Sequence, residues 1–267
     1  MKRVLVITPT LGTSPWIEAT VASVARLPLA CRHVLVAPAA VTVSLATRFP
    51  HTRVIAEPGG GMYAAINAAL TTQSEWDMFT YINDDDLLLP RFTRVVECLR
   101  VDSANAAYGG VRLIGTRSQR LGSIPISPAP TLNRLLYAQR VEPVYQHGTV
   151  FSRQVVEKIG LFDDSFRFCG DTEYMARACV AGVPFVCATQ RDVAAFRLRA
   201  GQLTKDLPVM LAESNRAHAK LALSAPRITW RHRWARLVFR LANLSVYAER
   251  IVRHGPITFG ELLARGE

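Results

Sequence analysis

The first hundred residues alternate between short apolar runs and amphipathic stretches. Residues 3–8, built on Val4-Leu5-Val6-Ile7, predict a buried strand. Ser14-Pro15 then supplies a cap and a proline for a helix whose Ile17, Val21 and Val24 share one face. Arg32 to Ala37 and Arg53 to Ala56 read as further buried strands, Met62 to Leu70 as a helix and Asp77 to Ile82 as a strand. Pro90 to Arg100 reads as a helix with proline in its first turn. This alternation predicts an α/β fold, a mainly parallel sheet with helices on both faces. From Ala106 to Pro130 the texture changes to Gly, Ser and Pro with short β-like runs. Helical periodicity returns at Thr131 to Ala138, Gln154 to Ile159 and Asp171 to Ala181, and dominates beyond Lys205. There is no internal repeat.

The 267 residues, 49% of them hydrophobic, suffice for one large α/β domain, or one domain with a helical appendage. The five cysteines, Cys31, Cys98, Cys169, Cys179 and Cys187, are odd in number and form no C-x-x-C pair, which argues against a disulfide framework and against a zinc ribbon. Val4 to Ile7 is too short for a signal-peptide core, and the run from Val34 to Ala46 is interrupted by Pro38, Thr42 and Ser44. A cytoplasmic location is expected.

A net charge of +11 and a pI near 10 leave three kinds of partner open: nucleic acid, an anionic membrane or a phosphate-rich small substrate. The charge is uneven. Between Arg216 and Arg240 lie seven basic residues (Arg216, Lys220, Arg227, Arg231, Arg233, Arg236, Arg240) and no acidic one. Trp230, Trp234, Leu237, Leu241 and Leu244 recur there at helical spacing. Two readings stay open: a helix lying on the inner face of the cell membrane, or a helix that packs this stripe on the body and leaves its arginines solvated.

The densest chemistry is Asn83-Asp84-Asp85-Asp86, at the end of an apolar strand and ahead of Pro90. Adjacent carboxylates repel unless a cation gathers them, and hard oxygen ligands suit Mg²⁺ or Mn²⁺ chelated by a substrate diphosphate. An acidic turn that caps the next helix explains a bare triplet equally well. Gly59-Gly60-Gly61 stands between a strand and a helix start, where bare amides can approach an anion or the glycines can simply permit positive φ. Asp171 follows Gly170 at the mouth of a helix, in the position of an N-cap or of a base.

In this order the motifs resemble the inverting glycosyltransferases of GT-A fold, specifically the glycosyltransferase family 2 group whose bacterial members build surface polysaccharides. The likeness begins in Thr8-Pro9-Thr10-Leu11 and in Ile17 through Val24. Glu57 through Asn67 stands as a form of E-x-D-x-G-x-y-D-A-x-N, and Asn83 through Pro90 as N-x-D-D-x-x-x-P. It continues in His147 through Arg153, in Ile159-Gly160-Leu161-Phe162-Asp163, and in Gly170-Asp171-Thr172-Glu173 through Arg177. It spans about residues 3–204.

The resemblance implies a catalytic domain over 1–204, its donor half about 1–100 and its acceptor half about 101–204, with a basic helical region over 205–267. It implies Mn²⁺ or Mg²⁺ on a DXD-type motif, with Asp85 first among the ligands and Asp86 and Asp84 beside it. It implies Asp171 as the base that deprotonates the acceptor hydroxyl. Donor contacts fall on Thr8, Pro9, Thr10, Leu11, Gly60, Gly61, Asn67, Asn83, Asp84 and Arg199, and acceptor contacts on His147, Gly170 and Glu173. Arg197 or Arg199, followed by Gly201 to Thr204, stands where relatives close over the donor; Arg177 reads equally as a structural ion pair. The partners implied are a nucleotide-sugar, a UDP-sugar by default, and a saccharide or lipid-linked acceptor.

The departures bear on the donor. After the second strand relatives carry an aspartate-rich turn for the nucleotide base, whereas here the chain reads Val36-Ala37-Pro38-Ala39-Ala40-Val41. Further family aspartates fall on Gly59 and Ala64, and a Lys-Gly pair on Ala68-Ala69. A sugar nucleotidyltransferase is the rival enzyme, though its glycine-rich N-terminal loop is missing; Gly115-Thr116-Arg117 lies mid-chain. A non-catalytic basic binding protein on a degenerate scaffold of this kind is the other alternative. A dehydrogenase is disfavoured because Thr8 to Thr13 lacks the G-x-G-x-x-G turn. Nucleic-acid binding is disfavoured by the absence of an aromatic platform in the first two hundred residues.

Overall fold

A computed structural model of the protein describes residues 3–101, 104–199, 207–223, 228–258 and 260–262. The chain opens as a parallel α/β unit: β1 (Val4–Pro9), α1 (Ile17–Ala25), β2 (Cys31–Ala37), α2 (Ala39–Arg48), β3 (Arg53–Ala56), α3 (Met62–Thr72) and β4 (Met78–Tyr81). It continues through β5 (Leu87–Leu88), α4 (Phe92–Val101), β6 (Ala106–Ile114), β7 (Arg120–Ile124), α5 (Asn133–Tyr137) and β8 (Thr149–Ser152). There follow α6 (Arg153–Ile159), α7 (Gly170–Val180), β9 (Phe185–Arg197), α8 (Leu207–Lys220), α9 (Trp230–Ala242) and α10 (Leu244–His254).

All nine strands share one sheet, in the order β3-β2-β1-β4-β8-β6-β9-β5, with β7 on β6. The first four run parallel, Val4 opposite Cys31 on one side and Met78 on the other. Val4, Leu5, Val6 and Ile7 are all buried, as expected of a strand covered by helices on both faces. β8 enters antiparallel to β4, with Phe79 opposite Phe151. This reversal brings the residues ahead of β8 to the carboxyl end of β4, the sheet edge where α/β proteins bind ligands.

Some local expectations change. Ser14 does not cap α1, which begins at Ile17. Its hydroxyl instead accepts from Trp16 N–H at 3.3 Å and donates to the Asp84 carbonyl at 2.9 Å. Pro38, read as an interruption, stands at the N-cap of α2 with ψ 138°, where its missing N–H costs nothing. β9 had no counterpart in the hydrophobic pattern.

The basic C-terminal helices are seated on the body: α8 on α7, α9 on α5 and α10 along β7. Asn243 fixes the junction of α9 and α10, bonding Ile126 N–H at 3.1 Å and Ile126 C=O at 2.9 Å.

Candidate active site

The acidic loop leaves β4 at its carboxyl end and is fastened from several sides. The Thr10 hydroxyl donates to Asp84 Oδ2 at 2.5 Å, and the Thr20 hydroxyl to the Asp86 carbonyl at 2.8 Å. β5 pairs the far end of the loop with Ala194 and Ala195 of β9. Arg197, the last residue of β9, is fully buried and sends its side chain to the carbonyls of Asp85 at 2.7 Å and Gly115 at 2.8 Å. It is therefore a scaffold clasp, not the phosphate contact that sequence left open for it.

The three aspartates consequently differ. Asp86 is fully buried; Oδ1 accepts from Arg197 N–H at 2.8 Å, and Oδ2 accepts from the Asn83 amide at 3.1 Å. These bonds commit Asp86 and Asn83 to holding the loop. Asp84 is occupied by Thr10, and burial raises its carboxyl. Asp85 carries a half-buried cation, the Arg199 guanidinium with Nε 2.6 Å from Oδ2. Burial, and next the charge of Asp86, push the Asp85 carboxyl up to about 6. Trp16 backs this pair: its ring lies 5.1 Å from the Arg197 guanidinium and 5.9 Å from that of Arg199.

Among the described residues no group of three or more His, Cys, Asp or Glu side chains converges as a metal cage. Asp85 nevertheless fits a divalent ion that arrives with a diphosphate, because Mg²⁺ takes one or two carboxylates and completes its shell from phosphate and water. The bound Arg199 marks the spot as one that requires positive charge.

A second acidic centre forms where α3 and α7 begin. The Tyr63 hydroxyl accepts from Asp171 N–H at 3.1 Å and lies 3.3 Å from Asp171 Oδ1, which also accepts from Thr172 N–H at 2.8 Å. Gly170 is required here: a Cβ would come within 2.5 Å of the Tyr63 ring. Burial raises the Asp171 carboxyl, with the Thr172 amide and His147 opposing. Sequence reasoning missed its neighbour Glu142, whose carboxylate accepts from the Thr172 hydroxyl. Burial, and then the charge of Asp171, push Glu142 up to about 7. Only the structure joins the two acids, because Glu142 sits in an irregular stretch.

His147 and Tyr81 lie between the centres. His147 Nε2 is 3.1 Å from Asp86 Oδ2, and its ring is near enough to Glu142 and Asp171 to oppose the rise of both. Gly148, beside it, admits the Gly109 carbonyl where a Cβ would clash at 2.7 Å. Burial, then the charges of Asp171 and Asp86, hold the Tyr81 phenol well above its ordinary range. The Tyr81 hydroxyl, Asn83 Oδ1 and His147 Nδ1 are buried without a hydrogen-bond partner among the described residues, and His147 Nε2 has the Asp86 carboxylate as its neighbour. Buried polar atoms left open in this way mark a surface ready for a polar ligand.

Other expected contacts fall elsewhere. Thr8 is buried and pairs its hydroxyl with His33 Nε2 at 3.0 Å. Asn67 clamps Phe162 through its carbonyl at 2.9 Å and its N–H at 3.0 Å. Glu173, expected near the acceptor, is fully buried and held by Arg177 at 3.0 Å and Lys220 at 2.9 Å; the pair anchors α7. Pro9 ends β1, Leu11 is exposed beyond it, and Gly60 and Gly61 lie exposed with φ of +91° and +95°. The stretch Gly201 to Thr204 lies outside the described residues.

No protein-family model matches the chain, and no curated protein matches it in sequence. Solved structures do. Residues 1–349 of S. aureus TarS in complex with UDP-GlcNAc are 15% identical, with 98% of this chain and 78% of that one covered at a TM-score of 0.65. The same protein with UDP gives 13% identity, 98% and 77% coverage and a TM-score of 0.63. The mannosyltransferase PcManGT from Pyrobaculum calidifontis, in complex with GDP-Man and Mn²⁺, gives 17%, 99% and 79%, and 0.58. The fold is thus that of the GT-A glycosyltransferases.

Proposed function

We propose that the chain is a metal-dependent, inverting glycosyltransferase that moves a sugar from a nucleotide-sugar donor to an acceptor hydroxyl, in polysaccharide or glycolipid biosynthesis. One observation carries this reading. Two acidic centres from opposite halves of the chain, Asp85 and Asp171, stand at one sheet edge, with the buried Tyr81, whose hydroxyl has no partner among the described residues, and the buried His147 between them. A binding scaffold has no need of a part-buried carboxylate whose proton affinity is raised opposite a cation-seeking one.

Asp85 would hold the divalent ion, which when bound neutralises the leaving nucleoside diphosphate. Arg199 and Asp85 share the donor side, and Thr10 keeps Asp84 from competing. The acceptor oxygen attacks the anomeric carbon, the bond from that carbon to the diphosphate breaks, and the acceptor proton passes to Asp171. A carboxyl raised by burial binds this proton more strongly than a solvated one. Tyr63 and the Thr172 amide fix the direction of the carboxylate.

The neighbours' donors, UDP-GlcNAc and GDP-Man, fit this reading, with a UDP-sugar as the default. Calorimetric titration with UDP, GDP, dTDP and CMP, with and without Mn²⁺, tests it. One nucleotide should bind tightly only with Mn²⁺, and Asp85→Ala should abolish this. Asp171→Asn should keep the binding and lose transfer. Wild-type transfer by Asp171→Asn would remove the base, and no binding of any nucleotide would favour the degenerate scaffold.

A further inference from the structure

Helix α9 carries two apolar faces, and only one is used inside the protein. Ala235 and Phe239 are buried with Leu136, among Leu132, Leu135 and Val141. Trp230, Trp234, Leu237, Leu241 and Leu244 are 74, 55, 46, 56 and 59% exposed. At about 100° per residue the four on α9, Trp230, Trp234, Leu237 and Leu241, form a single stripe facing away from Phe239, and Leu244 opens α10 just beyond it. The stripe does not pack on the body, which removes the second of the two readings that the sequence left open. Ile228, 57% exposed, extends it.

A contiguous exposed patch with two tryptophans marks an interaction surface. Its rim is basic. Arg231, Arg233 and Arg240 are exposed beside the stripe, and no acidic residue occurs from Ile228 to Ala248. Arg236 is half-buried, with Nη2 on the Gln139 carbonyl at 3.2 Å. A shallow groove of about 350 Å³ opens there, bringing Arg233, Arg236 and Arg240 together with Ile228 and Leu237. Guanidinium groups beside aliphatic side chains match a lipid phosphate beside the upper part of its acyl chains. A second copy of a chain of net charge +11 would bring like charge to this rim. No helix among the described residues is long and apolar enough to cross a membrane, so such contact would be interfacial.

We propose that α9 docks the protein on an anionic bilayer, with Trp230, Trp234, Leu237 and Leu241, and the adjoining Leu244 of α10, in the headgroup layer and Arg231, Arg233, Arg236 and Arg240 on lipid phosphates. Tryptophan and leucine below flanking arginines are the side chains that hold helices in that layer. The docking goes beyond the transfer reading and does not depend on it. Its consequence for that reading is one of position. α9 packs on α5, and α5 on α7, whose first turn carries Asp171. Two helices, α9 and α5, then separate the base from the bilayer, which keeps it near a surface where a lipid-anchored acceptor would be held.

Flotation of the full chain with phosphatidylcholine vesicles, with and without phosphatidylglycerol, tests the docking. Binding should require the anionic lipid, weaken with salt and shift tryptophan emission to the blue. Replacing both tryptophans, Trp230→Ser with Trp234→Ser, should lower the partition coefficient by at least about tenfold, and Arg233→Glu with Arg240→Glu should abolish the lipid preference. Unchanged melting would show these exposed substitutions to be harmless to the fold. Equal flotation of wild type and the tryptophan pair, or flotation of neither, overturns the proposal. So does a wild-type dimer in light scattering that the tryptophan pair dissolves. Mn²⁺-dependent nucleotide binding, measured on the same variants, should stay unchanged. Its absence from every form, wild type included, would sink the transfer reading alone.

Discussion

Glu142 and Tyr81 are the side chains that the site adds to the sequence's candidates, and each makes a signed prediction. The Glu142 carboxyl rises from 4.5 to about 7. Between those values the folded state holds a proton that the unfolded state has lost, so stability falls as pH rises through the window and stays lower above it. Glu142→Gln keeps an oxygen for Thr172 and removes this loss. Its unfolding free energy should exceed that of wild type at pH 8 by an amount on the order of 2 kcal/mol, a gap that closes toward pH 5; unfolding curves whose difference is the same at both ends of that range would contradict it. Tyr81→Phe deletes a buried hydroxyl without a partner. Stability should hold or improve by about 1 kcal/mol, while kcat/KM for transfer drops at least about tenfold. A hydroxyl with no part in catalysis would leave kcat/KM unchanged.

At the scale of elements, α8 shows how the C-terminal region serves the site. The Glu213 carboxylate accepts from three successive backbone amides, those of Arg167 at 2.8 Å, Phe168 at 2.7 Å and Cys169 at 3.0 Å. Those amides belong to the loop that delivers Gly170 and Asp171. Glu213→Ala leaves them without a partner and should cost about 3 kcal/mol. In thermal melts and steady-state kinetics it should lower kcat while nucleotide binding persists. Unchanged melting would mean that α8 only leans on the body. The same scale separates the legible from the illegible. β1, β2 and β4, with α1 and α3, could be read because each strand carries an apolar run buried by its own neighbours; β3 reads as buried but lies part-exposed at the sheet edge, and α2 does not read as a helix at all, its place looking like an interrupted apolar run. β9 could not be read: Gln190, Arg191 and Asp192 interrupt it, and its register against β6 shifts around Gly109 and Gly110. Those glycines read as loop, yet they exist for the partner strand. A Cβ on Gly109 would stand 2.6 Å from Val193, and one on Gly110 would stand 2.3 Å from the Gln190 carbonyl. A constraint imposed by a strand eighty residues on leaves no local period. Asp85 and Asp171 were legible as motifs for the opposite reason, since each follows directly from its own strand end or helix start.

For the whole molecule the question is whether two acids from distant parts of one chain serve one reaction with separable duties, and thermal stability can answer it. A ligand bound by the folded state alone raises stability by RT ln(1 + [L]/Kd), about 2.7 kcal/mol at a hundredfold excess. For 267 residues that corresponds to a rise in Tm of roughly 5 to 10 °C. Nucleotide with Mn²⁺ should produce it, and either one alone should produce little, because Asp85 offers one carboxylate and the diphosphate supplies the remaining ligands. Asp85→Ala should abolish the shift, and Asp171→Asn should retain it in full. The pH dependence follows from the Asp85 carboxyl at about 6, whose protonated form cannot bind the ion. The shift should be complete at pH 8 and shrink as pH falls through about 6. Chelation by EDTA should return the melting curve to that of the free protein. A shift that ignores Mn²⁺, survives Asp85→Ala or grows on acidification would separate the acidic loop from donor binding, and with it overturn the division of labour between the two halves of the chain.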